Sequence, residues 1–217
     1  MTEPAPPSSR AQLLAATAAL MTETGSIDVP LSEIAARSGL NSALVKYYFG
    51  GKSGLLVALA NDVLGRALTQ MHELMQMDLD PVEKIKLHIK GVITVYFRYP
   101  FVNRLLHALF MQADTAADVG QNISLPLANT QRQLLAEAEA AGLIRPIDPM
   151  MFYFIVLGAC DHLFFSQNIL KYAFDIDTID DDLRRRYTDT LLDMVLRGLL
   201  IEKDGATTVV TVKSGRA

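Results

Sequence analysis

Six side chains between Ser42 and Lys52 have the types and spacing to grip a nucleic-acid duplex. Read as a helix, the run from Ala43 to Phe49 places Ala43, Lys46 and Tyr47 on one face, with Ser42 at the first turn. Val45, Tyr48 and Phe49 share the opposite face and are expected to pack inward. A small, donor-bearing outward face is what a helix needs to enter the major groove. There the Ala43 methyl matches a thymine methyl, Lys46 matches a guanine edge, and Ser42 approaches the bases. Tyr47, Tyr48 and Lys52 suit the phosphate backbone, which positions without reading sequence. Tyr48 is the ambiguous member, because its helical phase turns it partly inward.

These residues need a frame, and residues 31–56 supply one. Leu31, Ile34 and Ala35 recur at helical spacing. Gly39 suits the left-handed conformation that ends a helix, and Asn41 can cap the next one. This stretch resembles the helix-turn-helix of the TetR family of bacterial transcriptional regulators. The matching residues are Ile34-Ala35, Gly39-Leu40-Asn41, Tyr47-Tyr48-Phe49, and Lys52 with Leu55-Leu56. The resemblance is specific over residues 9–60 and beyond that is one of helical layout. Pro30 stands where the family usually has a capping Ser or Thr, Lys46 where it commonly has Tyr, and Asn41 where Ser is frequent.

The resemblance implies an all-α protein: an N-terminal three-helix helix-turn-helix domain, then a C-terminal helical ligand-binding and dimerisation domain, about nine helices in all. It also implies a sequence-specific DNA-binding regulator, a repressor released from a palindromic operator by a small-molecule effector. Two alternatives remain at this level. One is a helical hairpin in an ordinary all-α domain. The other is a regulator that acts through a protein partner without reading DNA. An all-helical enzyme has no support beyond Asp161-His162 and scattered histidines, since no nucleophile–base set, phosphate-binding glycine loop or metal-ligand spacing is present.

Composition is consistent with a small globular regulator. The chain has 217 residues, half of them hydrophobic, and a formal charge of −4. The acidity lies outside the reading segment. Between Ser8 and Ala60, Arg10, Arg37, Lys46 and Lys52 oppose Glu23, Asp28 and Glu33, leaving one net positive charge. Tyrosine hydroxyls and backbone N–H groups must therefore share the phosphate contacts. The single cysteine, Cys160, excludes an internal disulfide. Its apolar surroundings favour a buried structural thiol over a redox sensor, and a reducing cytoplasmic setting is expected. No apolar leader is visible, and the longest apolar run, Met150 to Cys160, is too short to span a bilayer.

The expected organisation is a disordered arm (1–7), the DNA-binding domain (8–51), an effector-binding and dimerisation domain (52–202) and a flexible tail (203–217). Ser9 with Gln12 reads as a capping box opening a first helix that ends at Gly25. A long helix from Lys52 to about Met77 joins the two domains. Asp80-Pro81 opens a helix that Tyr99-Pro100 ends. A segment from Phe101 to Gln112, a loop near Asp114–Asn122, and a helix through Leu134, Leu135 and Ala138 follow. Two final helices are expected at about 149–172 and 180–202. Met150–Phe165 is apolar nearly all round and needs burial on more than one side. A second subunit is the economical cover, and the resemblance implies a homodimer through the last two helices. The other reading is the central helix of a monomer.

The resemblance also places an effector pocket among residues 81–172. Candidate lining groups are His88, Tyr96, Arg104, His107, Met111, Phe152, Asp161, His162 and Phe165. Arg104 suits a ligand carboxylate through its planar fork, or a pair with Asp114 or Glu83. His88, His107 and His162 fall on different helices without metal-ligand spacing, so neither a metal nor a cofactor is expected. The expected partners are operator DNA, an effector and a second copy of the chain, with no membrane.

Overall fold

The computed structural model describes residues 7–201, and among these it is helical throughout. The described residues form eleven α-helices, two more than expected. They are α1 (Ser9–Thr24), α2 (Leu31–Ser38), α3 (Ala43–Phe49), α4 (Lys52–Gln76), α5 (Pro81–Arg98), α6 (Val102–Phe110), α7 (Ala113–Val119), α8 (Leu125–Ala140), α9 (Pro149–Phe165), α10 (Gln167–Phe174) and α11 (Asp181–Leu199). The arm and tail expected from the sequence fall outside the described residues, apart from Pro7.

Local signals place most boundaries. Asp80, Asp148 and Asp180 each accept backbone N–H groups at the start of α5, α9 and α11. Such caps satisfy donors that the first turn leaves unpaired. The cap of α1 is Ser8, not Ser9: its hydroxyl accepts from the Ala11 N–H, and Gln12 donates to the Pro7 carbonyl. The capping box expected of Ser9 with Gln12 is not formed, since Ser8 caps alone and Gln12 bonds a carbonyl in place of a cap N–H. Gly39 ends α2 at φ 70°, a conformation open to glycine at little cost.

Two further differences from expectation are local. The segment expected as a loop near Asp114–Asn122 is helical, as α7 and a π-turn over Gly120–Ser124 that runs into α8. Pro126 lacks an N–H and crowds the preceding turn, and the chain widens there, with the Leu125 N–H reaching the Gly120 carbonyl. The helix expected over 149–172 is broken at Ser166, and α9 and α10 meet at 65°. The Ser166 N–H still bonds the His162 carbonyl, but Ser166 leaves helical geometry at φ −96°, ψ 36°, and its own carbonyl accepts the first bond of α10.

The packing has two centres. Leu13, Met21, Ile34, Val45 and Leu55 bury the inner faces of α1–α4. Ile85, Ile89 and Ile93 form the fully buried stripe of α5, which packs against α4, α8, α9 and α11. Cys160 lies in this second core, and burial pushes its thiol up to about 12, so it is an inert packing group. The Tyr187 hydroxyl donates to the Ala159 carbonyl at 2.6 Å, tying α11 to α9. Outside both cores, α9 exposes Met151, Phe154 and Ile155, and α11 exposes Met194. No single described helix is long and apolar enough to cross a membrane.

Candidate nucleic-acid interface and cavity

The interface is built on α3, a two-turn helix held from below. Val45 is fully buried, whereas Ser42, Ala43, Lys46, Tyr47 and Tyr48 are exposed. Asn41 caps the helix as expected, its Oδ1 accepting from the Ala43 N–H at 2.8 Å. Tyr48 differs from the inward reading: it is exposed and meets Tyr47 edge-on, with ring centroids 4.9 Å apart. Phe49 takes the inward role and receives the Arg10 guanidinium over its ring at 5.3 Å. Two tyrosine hydroxyls therefore stand on the outer surface next to Lys46.

The remaining cations of this region are committed to the frame. Arg37 holds Glu23 through two hydrogen bonds of 2.7 and 2.6 Å, pinning α2 to α1. Lys52 pairs with Asp28 at 2.5 Å, and this contact holds the Asp28 carboxyl below the usual range. Both pairs are surface pairs and add little to stability. Lys46 has no ion-pair partner among the described residues. The α3–α4 corner depends on Gly54, which the sequence reading passed over. A Cβ built there would lie 1.8 Å from the Phe49 carbonyl oxygen, so only glycine lets α4 pass this close to the end of α3.

A cavity of about 1150 Å³ opens between α4, α5, α6, α8 and α9. Its wall is mainly apolar, with contributions from Leu64, Met71, Leu106, Phe110 and Leu157. Of the nine residues expected to line a pocket, His88, Tyr96, His107 and Asp161 do so. Arg104 does not: it points toward the first domain and donates to the Gly25 carbonyl, so neither a ligand carboxylate nor Asp114 or Glu83 is its partner. Met111 is exposed beyond the end of α6, and Phe152 faces the core. His162 is exposed beside Ser166, and Phe165 lies outside the wall against the His107 ring, 5.3 Å away.

The polar groups of the cavity divide into two sets. His107 and Asp161 pair at 3.2 Å across α6 and α9, with the histidine largely exposed. His88, Tyr96 and Asn103 are buried. Burial pushes His88 down to about 4, so its ring is neutral near pH 7. Burial, then the charge of Asp161, pushes the Tyr96 hydroxyl upward. His88 Nε2 lies 2.7 Å from the Gln131 side-chain amide, which holds the ring from α8. Asn103 and Gln131 were not foreseen, since an asparagine and a glutamine on amphipathic helices carry no burial signal of their own. Among the described residues no group of three His, Cys, Asp or Glu could hold a metal ion.

Fold and surface together define an all-helical protein with a helix-turn-helix head above an apolar cavity. Residues 13–59 match the family model for bacterial regulatory proteins of the tetR family, and residues 78–205 match the tetracyclin repressor-like C-terminal domain. The chain belongs to the TetR family of DNA-binding transcriptional regulators. Among curated relatives it is 31% identical over 101 residues to the transcriptional regulator BetI 1 of Chromohalobacter salexigens, covering 45% of this chain and 47% of that one. The match thus spans about half the length of that relative. It is 21% identical over 195 residues to the transcriptional repressor NicS of Pseudomonas putida, covering 88% and 92%. Its fold is similar to that of FadR from Bacillus subtilis in complex with stearoyl-CoA (TM-score 0.66, 19% identity, 87% and 98% covered). It is also similar to AibR in complex with isovaleryl coenzyme A and operator DNA (TM-score 0.66, 21% identity, 86% and 97% covered).

Proposed function

We propose that this chain is a two-fold symmetric repressor whose operator affinity falls when a small apolar effector enters the cavity. The observation that carries this reading is the continuity of α4, which packs against α3 in the head and also forms part of the cavity wall through Leu64 and Met71. A ligand that favours one tilt of α4 shifts the position of α3. The coupling required is about 1–3 kcal/mol, and it exists only if the ligand binds the two tilts differently.

In this reading Ser42, Ala43 and Lys46 approach base edges, while Tyr47, Tyr48 and Lys52 hold phosphates. Lys52 must exchange Asp28 for a phosphate when it does so. The second copy docks through α9 and α11, where Met151, Ile155 and Met194 are exposed large apolar groups. A pair of heads then meets half-sites roughly 34–36 Å apart. FadR and AibR, which share the fold, are each described in complex with an acyl-coenzyme A, and an apolar acyl-like effector suits the apolar wall here.

Selection of genomic fragments with the purified protein, followed by salt-titrated binding to the recovered site, tests the reading. A palindrome bound by a dimer is the expected result. No enriched sequence at low salt would overturn it and favour regulation through a protein partner.

A further inference from the structure

The deep wall of the cavity is polar without being charged. His88, Tyr96 and Asn103 all contact it and are at most 6% exposed. Asn103 Oδ1 accepts from the Arg104 N–H at 2.6 Å, but its Nδ2 has no partner among the described residues. Buried polar atoms of this kind are ordinarily satisfied, and each one left unpaired is a cost that a ligand can remove. The Tyr96 hydroxyl also makes no hydrogen bond among the described residues.

Among the described residues no buried cation faces this wall. Among them Arg132 is the sole lysine or arginine lining the cavity; it is exposed at the rim and donates to Asn129 Oδ1 at 2.6 Å. His107 is occupied by Asp161, whose carboxylate also lines the cavity and repels an anion. A carboxylate carried to the deep wall would lose its water without gaining an opposite charge. A neutral carbonyl would instead accept from the Tyr96 hydroxyl, or from Asn103 Nδ2 once that amide turns toward the cavity, at far lower desolvation cost.

We infer that the buried part of the ligand is an uncharged, mainly hydrocarbon body bearing a carbonyl acceptor, and that the cavity rejects the free carboxylate of the same body. This inference rests on reading the cavity as the effector site. An ester, a ketone and a thioester all supply this acceptor, so the carbonyl arrives either on a free neutral molecule or on a coenzyme A carrier.

Calorimetric titration of the full chain at pH 7.5 with methyl decanoate, decanoate and decanoyl-coenzyme A tests it. The ester binds at least tenfold tighter than the carboxylate. Asn103→Leu and Tyr96→Phe each weaken the ester about fivefold and leave the carboxylate unchanged. If Asn103→Leu does not fold, Tyr96→Phe, which removes one hydroxyl, decides alone. A coenzyme A thioester tighter than the methyl ester assigns the carbonyl to a carrier, and a weaker one assigns it to a free molecule. Equal or tighter binding of decanoate, loss of that binding in Arg132→Ala, or no binding of any probe overturns the inference. The titration contains no DNA, so it fails separately from the regulator reading. Ester preference without any effect on operator binding leaves the ligand class standing and removes its regulatory role. Operator binding with no ester preference does the reverse.

Discussion

Arg104 on α6 donates through Nη1 to the main-chain carbonyl of Gly25, the residue that closes α1. The two are 79 residues apart in sequence, and their contact joins the cavity-forming helices to the DNA-reading head without passing through α4. The last carbonyls of a helix carry its negative dipole end, which a guanidinium satisfies well. The neighbouring residue, Asn103, lines the cavity and hydrogen-bonds the Arg104 N–H. Asn103 and the residue that caps α1 are thus directly linked.

Replacing Arg104 by Ala is expected to uncouple the two domains in part. Operator affinity would be measured with and without effector. The effector-dependent loss of affinity should shrink by about threefold to tenfold, within the range of measured couplings, while effector binding in the absence of DNA stays the same. An unchanged ratio would show that α4 alone transmits the signal.

Gly54→Ala is expected to be severe although it adds one methyl group. The new Cβ would meet the Phe49 carbonyl, and backbone atoms at a helix end cannot swing aside. Overpacking of this kind costs about 1–3 kcal/mol or more. Operator binding should be lost as α3 is pushed out of position. Gly65→Ala, in the same helix with nothing within 4 Å of its added Cβ, is the control. It should be neutral or stabilising by about 0.5–1 kcal/mol, as expected from helix propensity. Thermal melts and operator titrations of both variants decide the matter; similar behaviour in the two would refute the steric account.

Much of the head was legible because each of its signals is local. Gly39 stops a helix, Asn41 starts one, and the face opposite Val45 is exposed whatever the rest of the chain does. The cavity was only partly legible because its lining depends on how helices rotate against one another. α9 is apolar on every side, so its periodicity assigns no phase, and Phe152 and Phe165 could not be told from wall residues. Arg104 looked like a ligand clamp because nothing in the sequence brings Gly25 near it. Tyr48 was expected inward, but α3 is only two turns long and Phe49 fills that space. The break at Ser166 carries no proline or glycine that would mark it in the sequence.

Lys46 and Lys52 should separate by role. Lys46 stands free on the outward face of α3, so Lys46→Ala is expected to relax base preference at one position of each half-site, at about 1–3 kcal/mol of lost discrimination. Lys52→Ala should weaken all sequences alike and reduce the salt slope by about one per subunit. Competition binding over a set of operator variants, at three salt concentrations, distinguishes the two. Identical profiles would reject this division of labour.

His88 is expected to impose a pH dependence on stability. Its folded pKa is depressed to about 4 by burial, against 6.5 for an exposed ring. Above the unfolded value both states are neutral and the group contributes nothing. Between about 6.5 and 4 the unfolded chain takes up the proton and the folded chain does not, so stability falls as pH is lowered through this window. Each pKa unit is worth 1.36 kcal/mol, so the loss reaches about 3 kcal/mol near pH 4. His88→Gln keeps a polar group beside Gln131 but cannot titrate. Denaturant unfolding from pH 7.5 to 4.5 should show a steeper decline in the parent chain than in this variant. Parallel declines would mean that His88 opens to water before the fold is lost, and that the wall around it is less closed than its burial indicates.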